Sequence, residues 1–352
     1  MNSKTSRAKS QSSASKKRSQ SLTALALLSA ISSQSMAAGF SLLQIDDPGS
    51  AKPLELGVWY PSEATPPPEP NTPFNQALAT EVKPSGEQLS LVMVSHGFGG
   101  WLGGHADTAK ALADAGFVVA APSHTGNTFR DMSSSVDQWI VDRPHQISTA
   151  IDYLQQKWEY RSLLSEGPVG VFGFSAGGLT ALSLLGAVPS LAKAEQHCLD
   201  TPEEFGCEDA ELVPALLASE SFPAEHQNWG KDSRIAAAAI AAPGFAFSYE
   251  ADTLAAIDTP VQLWSALNDK RVPHESNALP LAQSLPQVET QWVKDAGHFA
   301  FMVQPCTEKL KKYEPETWDF LCVDPEGFDR WQFHHQMNAE ITRFFSEKLA
   351  RK

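Results

Sequence analysis

The stretch PVGVFGFSAGGLTALSLL, Pro168 to Leu185, decides how the rest of the chain is read. Val169–Phe172 is apolar and β-branched, Gly173-Phe174-Ser175-Ala176-Gly177 interrupts it, and from Ala176 small residues and leucines recur at helical spacing. The pattern predicts a strand, a sharp turn and a helix. A serine at the apex of such a turn must hold a strained backbone that lifts its hydroxyl clear of the sheet. The glycines two residues before and after it remove Cβ atoms that would strike the neighbouring strand and helix. Ser175 is therefore the candidate nucleophile; the competing reading is a helix N-cap serine.

Working outward, Leu54–Tyr60 alternates apolar and polar residues after a first strand-like segment from about Gly39. Pro61–Pro84, with Pro66–Pro68 in a row, is a surface loop. Gln88–Ser95 ends in the continuous apolar run LVMV, the mark of a strand buried on both faces, and leads into Ser95-His96-Gly97-Phe98-Gly99-Gly100. A helix follows from about His105 to Ala115, then a strand over Phe117–Ala121. Arg143–Trp158 carries Ile147, Ala150, Ile151 and Leu154 at amphipathic spacing. Beyond the nucleophile helix the pattern dissolves from about 190 to 233, an acidic, irregular segment read as a cap. Strands return at Ile235–Ala241, Pro260–Leu267 and Val288–Val293, with helices over Pro273–Ser284 and Gln336–Leu349. Strands alternating with helices predict an α/β fold, a mostly parallel sheet of about eight strands flanked by helices, in one domain over 38–352.

The N-terminus departs from this. Lys4, Arg7, Lys9, Lys16, Lys17 and Arg18 precede the apolar run Leu22–Ile31 and the small residues around Ala37 and Ala38. This predicts a signal peptide over 1–37, cleaved after Ala37 or Ala38, and export to the periplasm or beyond. About ten apolar residues are too few for a bilayer that needs about twenty, so stable membrane insertion is not expected. Without residues 1–37 the chain keeps 21 basic against 41 acidic residues, a net charge of −20, which repels nucleic acid. The four cysteines fall into two locally close pairs, Cys198 with Cys207 and Cys306 with Cys322, which in an exported chain read as two disulfides. Three connectivities are formally possible, and four buried thiols are the bland alternative. No metal-ligand spacing is present and neither a metal nor a cofactor is expected.

A serine hydroxyl needs a base to take its proton and a third group to hold that base's tautomer. His298, in Asp295-Ala296-Gly297-His298, directly follows the last predicted strand and has a glycine beside it. His334, His335 and His274 are weaker candidates, the first two read as preceding a helix, solvated or structural. Asp269 follows the strand ending at Leu267 and gives the chain order Ser, Asp, His. A turn aspartate is the alternative there. Asp252 and Asp258 lie one strand earlier, and Asp295 is so near His298 that it is read as shaping the turn. For a developing oxyanion, backbone N–H groups are expected from Ala176, which opens the helix, and from Phe98 in the glycine-rich loop. His96 is read as organising that loop, not as the base. The loop lacks the spacing of a phosphate cradle.

Taken together, Ser95-His96-Gly97-Phe98-Gly99-Gly100, Pro122-Ser123-His124-Thr125-Gly126-Asn127, Gly173-Phe174-Ser175-Ala176-Gly177-Gly178 and Ala296-Gly297-His298 resemble the α/β-hydrolases over roughly 50–350. Within them the chain resembles the exported bacterial proteins called dienelactone hydrolases and the related platelet-activating-factor acetylhydrolases. Two departures matter. Dienelactone hydrolases carry cysteine at the elbow, where this chain has Ser175. The acetylhydrolases take their aspartate from the loop after the strand that here is Ile235–Ala241, yet that loop, Ala242-Pro243-Gly244-Phe245-Ala246, has no carboxylate. The resemblance and the residues together imply a serine esterase acting on a small-molecule ester through an acyl-enzyme. A phospholipid esterase, a peptidase or amidase on the same triad, and a non-catalytic binding protein are the alternatives. Substrate identity and oligomeric state are not legible.

Overall fold

The computed structural model describes residues 37–208, 212–219, 230–302 and 306–350, and the chain from Ser35 onward forms one compact unit. The leader-like segment 1–36 lies outside the described residues. Nine strands form one sheet: β1 (Ala37–Ile45), β2 (Leu54–Ser62), the two-residue β3 (Ala79–Thr80), β4 (Leu91–Ser95), β5 (Val118–Ser123), β6 (Val169–Phe174), β7 (Ile235–Ala241), β8 (Val261–Ala266) and β9 (Val288–Val293). Their order is β3-β1-β2-β5-β4-β6-β7-β8-β9. The β1–β2 and β2–β5 pairs are antiparallel, and from β5 to β9 every pair is parallel. The expected count of about eight omitted only the short β3.

The apolar runs of the central strands are explained by burial on both sides. Leu91 and Met93 of β4 point into one core with Ile147, Ile151, Leu154 and Leu182, while Val92 and Val94 point into another with Leu112, Met337, Ile341, Phe344 and Phe345. Helices α1 (Ala106–Asp114), α2 (Val136–Gln156) and α3 (Ala176–Leu185) supply much of this cover, and the C-terminal helix the rest.

Three helix boundaries differ from the expectation, and the helix expected from Pro273 starts only at Ala278, after turns over 274–277. Helix α2 begins at Val136, well before Arg143, because Trp139 and Ile140 add buried apolar surface that continues the helical face through Pro144. Among α4 (Leu191–Asp200), α5 (Leu212–Leu217), α6 (Ala251–Ala255), α7 (Ala278–Ser284), α8 (Glu308–Tyr313), α9 (Pro315–Cys322) and α10 (Arg330–Lys348), the last starts earlier than Gln336. The Asp329 carboxylate accepts from the Gln332 N–H at 3.0 Å and caps it. His334 and His335 therefore lie inside the helix instead of before it, and His334 is buried.

The described residues of the segment 190–233, expected to be an irregular cap, are more ordered than their sequence pattern. They hold α4 and α5, and the Ser190 hydroxyl caps α4 by accepting from the Lys193 N–H at 3.2 Å. Leu191, Ala194 and Cys198 form a narrow apolar stripe on α4, of which only Ala194 is fully buried. Cys198–Cys207 and Cys306–Cys322 are bonded as disulfides, the local pairing read from the spacing. Among the described residues no helix is long and apolar enough to cross a membrane.

Candidate active site

Parallel strands deliver their C-terminal ends to one edge of the sheet, where α/β folds place ligands. The loops after β4, β6, β8 and β9 meet there. At the end of β6, Ser175 holds φ 53° and ψ −116°, a left-handed conformation that a non-glycine residue adopts only under constraint. The constraint is visible in the flanking glycines. A Cβ on Gly173 would sit 2.1 Å from the Gly177 carbonyl oxygen, and one on Gly177 would sit 1.9 Å from the Ser95 carbonyl oxygen. Helix α3 thus packs directly against the backbone at the ends of β4 and β6.

The structure brings Ser175, His298 and Asp269 together. His298 Nε2 is 3.0 Å from Ser175 Oγ, and His298 Nδ1 is 2.7 Å from Asp269 Oδ2. The carboxylate is acceptor-only when ionised, so Nδ1 carries the proton and Nε2 is left to accept from the serine hydroxyl. Asp269 Oδ1 in turn accepts from the backbone N–H groups of Arg271 and Val272, at 2.9 and 2.7 Å, which fixes the carboxylate at the start of its turn. All three residues are buried, and the imidazole lies beside the Phe174 ring at 4.9 Å.

The other candidates lie elsewhere. Asp252 and Asp258 are exposed, and Asp252 accepts from the N–H of its neighbour Thr253. Asp295 is exposed with φ 55°, a turn position. His274 donates to or accepts from Ser265 Oγ at 3.0 Å and packs edge-on against Trp292. His334 bridges Asp107 Oδ2 and the Ala300 carbonyl, at 2.6 and 2.8 Å, and so supports the short helix that carries His298. Among the described residues no cluster of His, Cys, Asp and Glu could hold a metal ion.

Ala176 N–H is one of the helix-start donors that has no partner within its own helix. Phe98 lies in the tight turn closed by the Gly100 N–H to Gly97 carbonyl bond of 3.1 Å. Phe98, Ser175 and Ala176 line one cavity of about 210 Å³ together with Trp139, Leu179, Phe245 and Phe247. A second, of about 160 Å³, contains Ser175 and His298 with Phe299, Met302 and Phe320. Phe205, from the Cys198–Cys207 loop, lines both.

Beneath the glycine-rich loop is a buried polar network that the sequence reading missed apart from His96. His96 Nδ1 donates to the Gly97 carbonyl at 2.7 Å and its Nε2 accepts from the His124 N–H at 3.1 Å. His124 Nδ1 contacts Gln146 Oε1 at 2.8 Å and its Nε2 contacts Ser95 Oγ at 2.9 Å. Burial first, and the Arg143 charge second, hold both imidazoles well below the usual histidine range, so both are neutral. A signal for Arg143 existed: it lies three residues after Ile140 and four before Ile147, a cation on the apolar face of α2.

Comparison with known proteins bears on the fold. The dienelactone hydrolase family model matches residues 75–198, which include the glycine-rich loop and the elbow but neither Asp269 nor His298. No curated protein matches. Among solved structures, a ferulic acid esterase from Streptomyces cinnamoneus superposes with a TM-score of 0.60 at 17% identity, over 90% of this chain and 91% of that one. The nine-stranded sheet, the elbow and the structural match show the α/β-hydrolase fold, and over residues 75–198 the chain is similar to the dienelactone hydrolase family.

Proposed function

We propose that the protein is a serine carboxylic-ester hydrolase that works through an acyl-enzyme. The observation that carries this reading is the continuous hydrogen-bond path from Ser175 Oγ through His298 to Asp269. In the forward step Ser175 Oγ attacks the ester carbonyl carbon as its proton passes to His298 Nε2. The Asp269 carboxylate stabilises the resulting imidazolium. The carbonyl oxygen, now an oxyanion, is received by the N–H groups of Phe98 and Ala176. The tetrahedral species collapses as the ester C–O bond breaks and His298 returns its proton to the leaving alcohol. Water then repeats the sequence on the acyl-enzyme, releasing the acid and restoring Ser175. The family match and the fold shared with an enzyme described as a ferulic acid esterase support ester hydrolysis as the class.

Because the leaving oxygen must receive its proton from His298, the cavity that contains His298 suits the alcohol. The larger cavity, lined by Trp139, Leu179, Phe245 and Phe247, then suits the acyl group. At about 210 Å³ it exceeds the ~150 Å³ that encloses a benzene molecule. A compact acyl group of benzoyl or short-chain size fits it. Two disulfides support an exported protein, and the leader read from residues 1–37 extends that proposal.

The test is turnover of p-nitrophenyl esters of increasing acyl length by the purified protein. A burst followed by steady turnover, best for short or aromatic acyl groups, is expected. Ser175→Ala should lower kcat by ~10³-fold or more while leaving the fold intact. A phosphonate inhibitor should label Ser175. Activity surviving in Ser175→Ala, or wild-type protein with neither burst nor turnover, refutes the reading.

A further inference from the structure

Arg143 is fully buried in α2, yet among the described residues it forms no ion pair. Its bonded donors go to neutral acceptors, and Nε has no partner among the described residues. Nη1 donates to Asn127 Oδ1 at 3.0 Å, and Nη2 donates to Ser95 Oγ at 3.3 Å and to the His96 carbonyl. The guanidinium also lies over the Trp139 ring, 5.8 Å from its centroid. A buried cation without a counter-charge costs several kcal/mol even after relaxation, so a site that retains one needs a compensating role.

The network around it has one consistent proton assignment. His124 is neutral and its Nδ1 faces the Gln146 carbonyl oxygen, so Nδ1 holds the hydrogen and Nε2 accepts from Ser95. The Ser95 oxygen then accepts from Arg143. Gln146 Nε2 donates to Asp47 Oδ2 at 3.0 Å, which makes Asp47 the carboxylate at the far end of the chain of bonds. The imidazoles nearest the guanidinium are neutral, and Asp47 is separated from it by Gln146, His124 and Ser95. Burial lowers the guanidinium only to about 9, so it remains charged at neutral pH.

The position of this cation is informative. The His96 carbonyl oxygen that it grips lies 3.0 Å from where a Cβ of Gly177 would be. Arg143 therefore acts where the glycine-rich loop touches the nucleophile elbow, two residues before Phe98 and one after Ala176.

We propose that Arg143 is the positioning residue of the oxyanion site: it clamps the His96 carbonyl against Gly177, and so sets the Phe98 N–H relative to the Ala176 N–H. Because Arg143 acts through the loop that carries the Phe98 N–H and lines neither cavity, its contribution falls on the oxyanion of the transition state and not on substrate binding. The inference rests on the esterase reading given above.

The experiment compares wild type, Arg143→Met and Arg143→Lys, each checked for its unfolding midpoint. For each, kcat and KM are measured on p-nitrophenyl butyrate, together with inhibition by a butyl boronic acid that mimics the tetrahedral adduct. Arg143→Met should lose ~10²-fold in kcat, the scale of one lost oxyanion donor. Its KM should stay within about threefold and its boronate affinity should fall in parallel with kcat. Arg143→Lys keeps the charge but lacks the planar fork that spans Asn127 and His96, and should fall between the two. If Arg143→Met does not fold, Arg143→Lys carries the test alone, and wild-type kcat in it overturns the proposal. So does a folded Arg143→Met whose kcat and boronate affinity match wild type, or one that loses only KM. Absence of turnover in the wild-type protein overturns the esterase reading itself, and this inference with it.

Discussion

His105 makes the fold acid-sensitive in a way that can be calculated. The residue is 1% exposed at the start of α1, between the rings of Phe172 and Phe174 at 5.2 and 5.1 Å. Burial lowers it from 6.5 to about 4, with Asp107 and the Phe301 backbone pulling it part of the way back and His334 opposing them. The unfolded chain therefore binds a proton between pH 6.5 and 4 that the folded chain refuses. Stability from this group is fully present above pH 6.5, falls as the pH drops, and is gone below about 4. At pH 5 the loss from His105 alone is ~2 kcal/mol. His96 and His124, lowered well below 6.5 by burial and by Arg143, add losses of the same sign. Urea unfolding at pH 7, 6 and 5 should show the midpoint falling steadily without a change in slope. In His105→Leu the decline between pH 7 and pH 5 should shrink by ~2 kcal/mol, leaving the part due to the other two histidines. A pH-independent midpoint in wild type, or an undiminished decline in His105→Leu, would refute the reasoning.

Asp269→Asn should leave His298 in the wrong tautomer and depress kcat by ~10⁴-fold, whereas Asp252→Asn, at an exposed position, should match wild type in the same ester assay. Gly177→Ala places a methyl 1.9 Å from a backbone oxygen and should cost at least ~3 kcal/mol or prevent folding. Gly297→Ala meets nothing within 4 Å at φ −103° and should be neutral or slightly stabilising despite adjoining His298. Unfolding midpoints of the two alanine variants separate these outcomes. Peptide mapping without reduction should recover Cys198 joined to Cys207 and Cys306 joined to Cys322, and loss of the second bridge, closing a span of 16 residues, should cost ~3 kcal/mol.

What the sequence disclosed follows from how local each cause is. The elbow was legible because its strain and its two backbone collisions are confined to residues 173–177 and the strand end they touch. His298 and Asp269 were legible as loop residues after predicted parallel strands, since parallel strands deliver their C-terminal loops to one edge. The glycine beside His298, by contrast, was a poor signal, for the structure gives a Cβ open space there. The start of α2 was missed because the expectation rested on the spacing of Ile147, Ala150, Ile151 and Leu154, whereas buried Trp139 and Ile140 carry the helix back past Pro144. Helix α4 stayed hidden because its buried stripe is only three residues wide, Leu191, Ala194 and Cys198, within an otherwise polar segment.

The polar network under the glycine-rich loop was illegible for a deeper reason. Its members come from the end of β4, the loop after β5 and the middle of α2, so their pairing exists only once those three elements are packed together. Periodicity detects burial but says nothing about pairing, so Arg143 on an apolar face reads as an isolated anomaly until Ser95, His96 and Asn127 are seen around it. Such an anomaly carries information of its own. A charge that disturbs an otherwise apolar stripe is buried at a cost, and the loop it grips is where that cost has to be offset. Here the loop is the one that presents the Phe98 N–H.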